Sequence, residues 1–143
     1  LQIYLLEAGP AKSPERGGGW KLKTVTIVLT DGPYISEYAE MAHKIARAAI
    51  GRARVNLFLY LDAVHIPKAE QNPDSFANAG RMFQDLAEEG ATIMACQRCS
   101  NARGYQSEQD GTCRDFLPGI RIGSLYELQR MIEASDRVIC LSR

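Results

Sequence analysis

Aliphatic and β-branched residues gather along the chain in short runs, separated by polar stretches in which apolar positions recur at helical spacing. Thr24-Val25-Thr26-Ile27-Val28-Leu29-Thr30 is apolar apart from threonine, the pattern of a strand covered on both faces. Asp31-Gly32-Pro33 stops it. Tyr38, Ala42, Ile45, Ala46 and Ala49 then follow a helical period, with Gly51 placed to end the helix. Val55 to Leu61 predicts a second buried strand. Phe76, Ala79, Phe83, Leu86 and Ala87 form a second helical stripe closed by Gly90, and Thr92 to Ala95 a third strand running into Cys96. Gly119 to Ile122 reads as a short strand. Ser124-Leu125-Tyr126-Glu127 is a capping box opening a helix whose inner stripe is Leu125, Leu128 and Ile132. Asp136 to Leu141 is the last strand. Strands alternating with helices imply right-handed crossovers. The predicted fold is a three-layer α/β sandwich with helices on both faces of a mainly parallel sheet of about five strands.

Ahead of this pattern, residues 9–19 hold two prolines and four glycines and no branched aliphatic, which is linker composition. Residues 1–21 are therefore read as an amino-terminal extension and linker, and 22–143 as the domain. Leu1 to Glu7 is either an added strand or a tail. The 143 residues suffice for one core. Seventeen basic residues balance seventeen acidic ones, which argues against direct nucleic-acid binding by bulk electrostatics. No apolar run approaches the roughly 18 residues of a membrane span, and the amino terminus lacks the features of a secretory signal. Four cysteines are too few for a disulfide scaffold, so a cytoplasmic, reducing setting is expected.

In an open parallel sheet, ligands bind outside the carboxyl ends of the strands. That rule selects Asp31, Gly32 and Tyr34 after the first strand, Asp62 and His65 after the second, and Cys96-Gln97-Arg98-Cys99 with Arg103 and Gly104 after the third. A cysteine that ends a strand and opens a short helix meets unpaired amide donors, which favour the thiolate. A second thiol three residues on lies within reach over one turn. It permits a disulfide, or capture of sulfur held on the first cysteine.

Other assignments compete. Cys140, inside a strand pattern, reads as inert core. Cys113, in a polar stretch, is either a free loop thiol or a third reactive partner. Zinc is disfavoured because no second close pair of ligands exists, and no metal or cofactor is expected. His65 is more simply a satisfied strand-end histidine than a base, and His43 is expected on the solvent face of its helix. Glycines 17–19 precede the first strand, so they make no phosphate-binding loop.

The order of these pieces is specific: Asp-Gly-Pro-Tyr after the first strand, Phe-x-Tyr then Asp-Ala-Val at the second, and Cys96 ending the third with Arg103-Gly104 after it. With the closing Gly-Ser-Leu-Tyr-Glu-Leu and Ala-Ser-Asp-Arg-Val-Ile-Cys-Leu, it resembles the DsrE/TusD (DsrE/DsrF-like) sulfur-relay family, in its Cys-x-x-Cys subset, over residues 22–141. The resemblance implies a flavodoxin-like (DsrE-like) fold. It also implies a homo-oligomer, trimer or hexamer, or a hetero-oligomer with paralogues. Relatives act in sulfur relays for tRNA thiolation or in sulfur oxidation. There the cysteine matching Cys96 accepts sulfur as a persulfide from a small sulfur-carrier protein or sulfurtransferase and passes it on. Cys99 departs from single-cysteine members: its thiol is placed to attack a persulfide and release sulfide as a disulfide forms. Cys96 is accordingly expected as nucleophile and persulfide carrier, Cys99 as resolving thiol, and Arg103 as support for the anionic sulfur. Gly104 is expected to shape the loop, with Asp31, Gly32, Tyr34, Asp62 and His65 lining the pocket. Two rivals stand beside this reading. One is a thiol-disulfide oxidoreductase, for which Pro118 before a short strand would be the cis-proline. The other is a non-enzymatic module whose cysteines hold a metal or a loop.

Overall fold

The computed structural model of the chain describes residues 2–7 and 21–143; the linker 9–19 lies outside them. Five parallel strands, β2 (Lys23–Leu29), β3 (Ala53–Leu59), β4 (Thr92–Cys96), β5 (Ile120–Gly123) and β6 (Arg137–Ser142), form the sheet with a sixth, β1 (Gln2–Glu7). Strand order is β1-β6-β2-β3-β4-β5. The added strand, β1, runs antiparallel on the outer side of β6, Tyr4 opposite Cys140.

Helices α1 (Tyr38–Ala49), α2 (Ala79–Glu88) and α4 (Leu125–Ala134) are the crossovers. The chain steps one way from β2 to β5 and then returns to place β6 beside β2. With right-handed crossovers, this reversal puts α4 on the face opposite α1 and α2. Ile27, Leu29, Leu57, Phe58, Leu59, Phe83 and Leu86 have no solvent exposure. A buried polar pin fastens the end of α4 to the centre of the sheet: the Thr26 and Ser135 hydroxyls lie 2.6 Å apart, and Ser135 also donates to the Met131 carbonyl at 2.7 Å. Buried hydroxyls need such partners.

Local signals and packing disagree in a few places. Phe76 is not on the second helix, which starts after Asn78, whose side chain accepts from the Arg81 N–H at 3.0 Å. Phe76 is instead 63% exposed. The capping box on α4 is present in both directions, but the helix's buried residue is Met131, while Leu125 and Ile132 are 40% and 39% exposed. Their outward position leaves the inner stripe to Leu128 and Met131. His43 is half-buried with Nε2 shielded from solvent, and burial first, then Arg47, lowers its pKa. Cys140 is half-buried and Cys113 is buried, so the core-like thiol is the second of these. All described peptide bonds are trans, Pro118 included.

Candidate functional site

The sheet delivers Cys96 as expected. It closes β4, pairs in register with Gly123 of β5, and serves as N-cap of the short helix α3 (Gln97–Ala102). Its sulfur makes no capping bond to the first-turn amides, against the expectation from its strand-end position, and it has no solvent exposure. On α3, Cys99 and Ser100 are buried whereas Gln97, Arg98, Asn101 and Ala102 are exposed. Arg98 therefore lies in solvent, and the dithiol lies on the helix face turned into the protein.

What meets that face is a 3₁₀ turn, Leu61–His65, that follows β3. Three successive links join the two segments. The Leu61 N–H points at the Cys99 sulfur at 3.3 Å. Next along the turn, the Asp62 carboxylate accepts from Arg103 Nε and Nη2 at 3.0 and 2.7 Å, while Arg103 Nη1 donates to the Cys99 carbonyl at 3.0 Å. At the far end, His65 Nδ1 and the Tyr105 hydroxyl are hydrogen-bonded at 2.7 Å. Tyr105 also packs on Phe116, with ring centroids 5.0 Å apart. Burial, then Asp115 and Cys113, pushes the Tyr105 phenol up from its ordinary value, so it keeps its proton.

Two backbone features allow this close docking. Leu61 takes a left-handed conformation at φ 50°, a strained one for a branched residue. Gly104 ends α3 at φ 85°, where glycine alone is unstrained. Gly32 works by space instead: a Cβ there would lie 3.1 Å from the Asp62 carbonyl, so the loop after β2 passes over the turn.

Cys96 and Cys99 are both buried free thiols, not joined as a disulfide. Burial, reinforced by the neighbouring Cys96 thiol, raises the Cys99 pKa from the ordinary 9.0, while the Leu61 N–H and the Arg103 charge pull the other way. The outer thiol is thus protonated at neutral pH but sits among donors that favour its anion. Arg103 is committed to Asp62 and the Cys99 carbonyl, so it positions the second cysteine as well as adding charge.

The remaining predicted residues divide. Asp31 is buried, accepts from Ser36 Oγ at 2.7 Å and pairs with Arg143 at 2.9 Å, so its carboxylate is already engaged. Tyr34 turns away to α2, its hydroxyl donating to Gln71 Oε1 at 2.5 Å and accepting from the Ala79 N–H at 3.2 Å. There, with Ile35, Phe76 and Met82, it lines a cleft of about 260 Å³. A polar cleft of about 350 Å³ borders β4 and β5 over Met94, Gln97, Arg121 and Glu127. Neither cysteine lines these clefts. Sequence reasoning missed Leu61, which acts through its backbone. Among the described residues no three His, Cys, Asp or Glu side chains converge as a metal site requires, and no helix is long and apolar enough to cross a membrane.

A parallel sheet covered by helices, with a dithiol at a strand's carboxyl end, defines a small flavodoxin-like α/β protein with a thiol site. The chain belongs to the DsrE/DsrF-like family, whose model matches residues 23–141. It is 33% identical over 119 residues to the uncharacterized protein MK0008 of Methanopyrus kandleri, covering 82% of this chain and 93% of that one. It is 30% identical over 115 residues to the uncharacterized protein MJ0989 of Methanocaldococcus jannaschii, covering 80% and 96%. The crystal structure of the ychN protein from E. coli superposes with a TM-score of 0.71 at 25% identity, covering 84% of this chain and all of that one. Family membership points to a sulfur-relay role in general terms.

Proposed function

We propose that this protein accepts sulfane sulfur on the Cys96/Cys99 dithiol and passes it on in a cytoplasmic sulfur relay, with Cys96 as the persulfide carrier. The observation that carries this reading is the buried, unjoined thiol pair at the start of α3 with an amide N–H and a guanidinium brought to its outer member. A cysteine thiolate attacks the outer sulfur of a donor persulfide, R–S–SH. A new S–S bond forms, the donor's S–S bond breaks, and the donor leaves as R–S⁻ with no net oxidation. Cys96 makes this attack, and the donor reaches it past Cys99, which retains 8% exposure where Cys96 has none. The donor is a small sulfur-carrier protein or a sulfurtransferase. Exposed Ile35, Phe76 and Tyr126 support assembly as a homo-oligomer or with paralogues.

The test is intact mass after incubation with a sulfur donor and its removal, on wild type, Cys96→Ser and Cys99→Ser. A persistent gain of about one sulfur atom that requires Cys96 is expected. An equal, persistent gain in Cys96→Ser overturns the carrier assignment. Loss of two hydrogens requiring both cysteines, without added sulfur, makes the protein a thiol-disulfide oxidoreductase instead.

A further inference from the structure

Among the described residues, two side-chain polar atoms are buried without a hydrogen-bond partner: His43 Nε2, on α1, and Ser100 Oγ, on α3. Ser100 has no solvent exposure. A helical serine ordinarily satisfies its hydroxyl on the carbonyl four residues earlier, which here belongs to Cys96. It makes no such bond. Its place is specific, because Ser100 and Cys99 are the two inward residues of α3 and Cys96 precedes Ser100 by four. Cys96 is the N-cap of α3, so Ser100 stands four residues on, about 6 Å along the helix axis at roughly 1.5 Å per residue. One added sulfur extends a cysteine by about 2 Å, which brings its outer atom into the range of the hydroxyl.

We propose that the Ser100 hydroxyl is the donor that holds the outer sulfur of a persulfide on Cys96, an inference that rests on the sulfur-transfer reading above. An anionic outer sulfur in a buried site needs donors to offset its lost hydration. The Cys99 thiol, buried one turn from Cys96, is one; Ser100 is the second. The hydroxyl is unpartnered in the resting dithiol because its partner arrives with the substrate. Holding the outer sulfur also opposes the competing step, in which Cys99–S⁻ attacks the inner sulfur of Cys96–S–SH. That step forms the Cys96–Cys99 disulfide and expels HS⁻. Ser100 is thus a positioning residue for the loaded state.

The experiment loads the full chain with inorganic polysulfide, removes the excess, and follows intact mass and released sulfide in wild type, Ser100→Ala, Ser100→Gly and Ser100→Thr. In Ser100→Ala the one-sulfur species should decay about tenfold faster, the loss expected of one hydrogen bond to a charged group. Ser100→Thr should restore its lifetime. The melting temperature of unloaded Ser100→Ala should stay level or rise, whereas a serine with a merely structural bond would lower it. If Ser100→Ala does not fold, Ser100→Gly makes the same comparison. A wild-type lifetime in the hydroxyl-free variant overturns the role of Ser100 and leaves the sulfur-transfer reading standing. Failure of wild type to gain sulfur overturns both.

Discussion

Cys140 lies half-buried in β6, and burial alone raises its pKa. Cys99 is more deeply buried, yet its sulfur faces a second thiol, the Leu61 N–H and the Arg103 charge. Two thiols displaced in the same direction therefore differ in why. One is displaced by lost hydration; the other is displaced against groups placed to favour its anion. Depth of burial does not separate a structural cysteine from a reactive one. Polar groups ordered around the sulfur do.

The largest expected effect breaks this comparison outright. Cys96→Ser should abolish persistent sulfur loading, while Cys140→Ser should change it by less than about twofold, as expected of a substitution distant from the chemistry. Intact mass after donor removal reads both. Equal losses in the two variants would mean that the ordered surroundings of the α3 dithiol have no functional consequence.

A smaller effect sharpens the comparison by changing the charge beside Cys99. Arg103→Gln removes the positive charge and should slow alkylation of Cys99 about 2–5-fold at fixed pH, the size of a partly exposed charge interaction. Asp62→Asn leaves the guanidinium without its counter-charge and should speed alkylation. Cys140 should not respond to either. Asp62 is 55% exposed at its side chain, so Asp62→Asn should cost under about 1 kcal/mol of stability. Mass-resolved alkylation rates for each cysteine supply the check; a common direction in the two variants would show that Arg103 acts only through the backbone of Cys99.

The comparison also marks how far the sequence could be read. Strands β2 to β6, the Ser124–Glu127 capping box and Cys96 at a strand end follow from local pattern, because runs of branched residues and cap chemistry act over a few positions. Phe76 and Ile132 escaped that reading because they fit a helical period but face outward in the fold. The links around Cys99 were less legible still. Leu61 contributes a main-chain N–H that carries no residue signature, and Asp62 and Arg103 stand 41 positions apart. The orphaned Ser100 hydroxyl is defined by a missing partner, which only coordinates reveal. For Asp31 the strand-end rule identified the right edge, but Arg143 and Ser36 occupy its carboxylate. Strand ends nominate candidates; free or ordered donors select among them.

The smallest effect is the dependence of stability on alkaline pH. Burial holds the Cys99 and Cys140 thiols above their ordinary value of 9.0 in the folded chain. Below 9.0 both folded and unfolded thiols keep their protons, so this contribution to stability is fully present. As pH rises past 9.0 the unfolded thiols ionise first, and stability is lost until the folded thiols ionise in turn. Tyr105, raised from 10.0, adds a loss of the same sign above that value. Melting temperature should therefore fall between pH 9.0 and 10.0 in wild type, and fall less in Cys140→Ser and in Cys99→Ser. Tyr105→Phe should keep the wild-type slope in that interval and flatten the decline only above it. The two thiol variants also part on reactivity, since Cys99→Ser alone removes the site that Arg103→Gln slows. A Cys140→Ser slope equal to wild type would mean that burial of the β6 thiol is relieved by water in solution, and the contrast between the two cysteines would then rest on Cys99 alone.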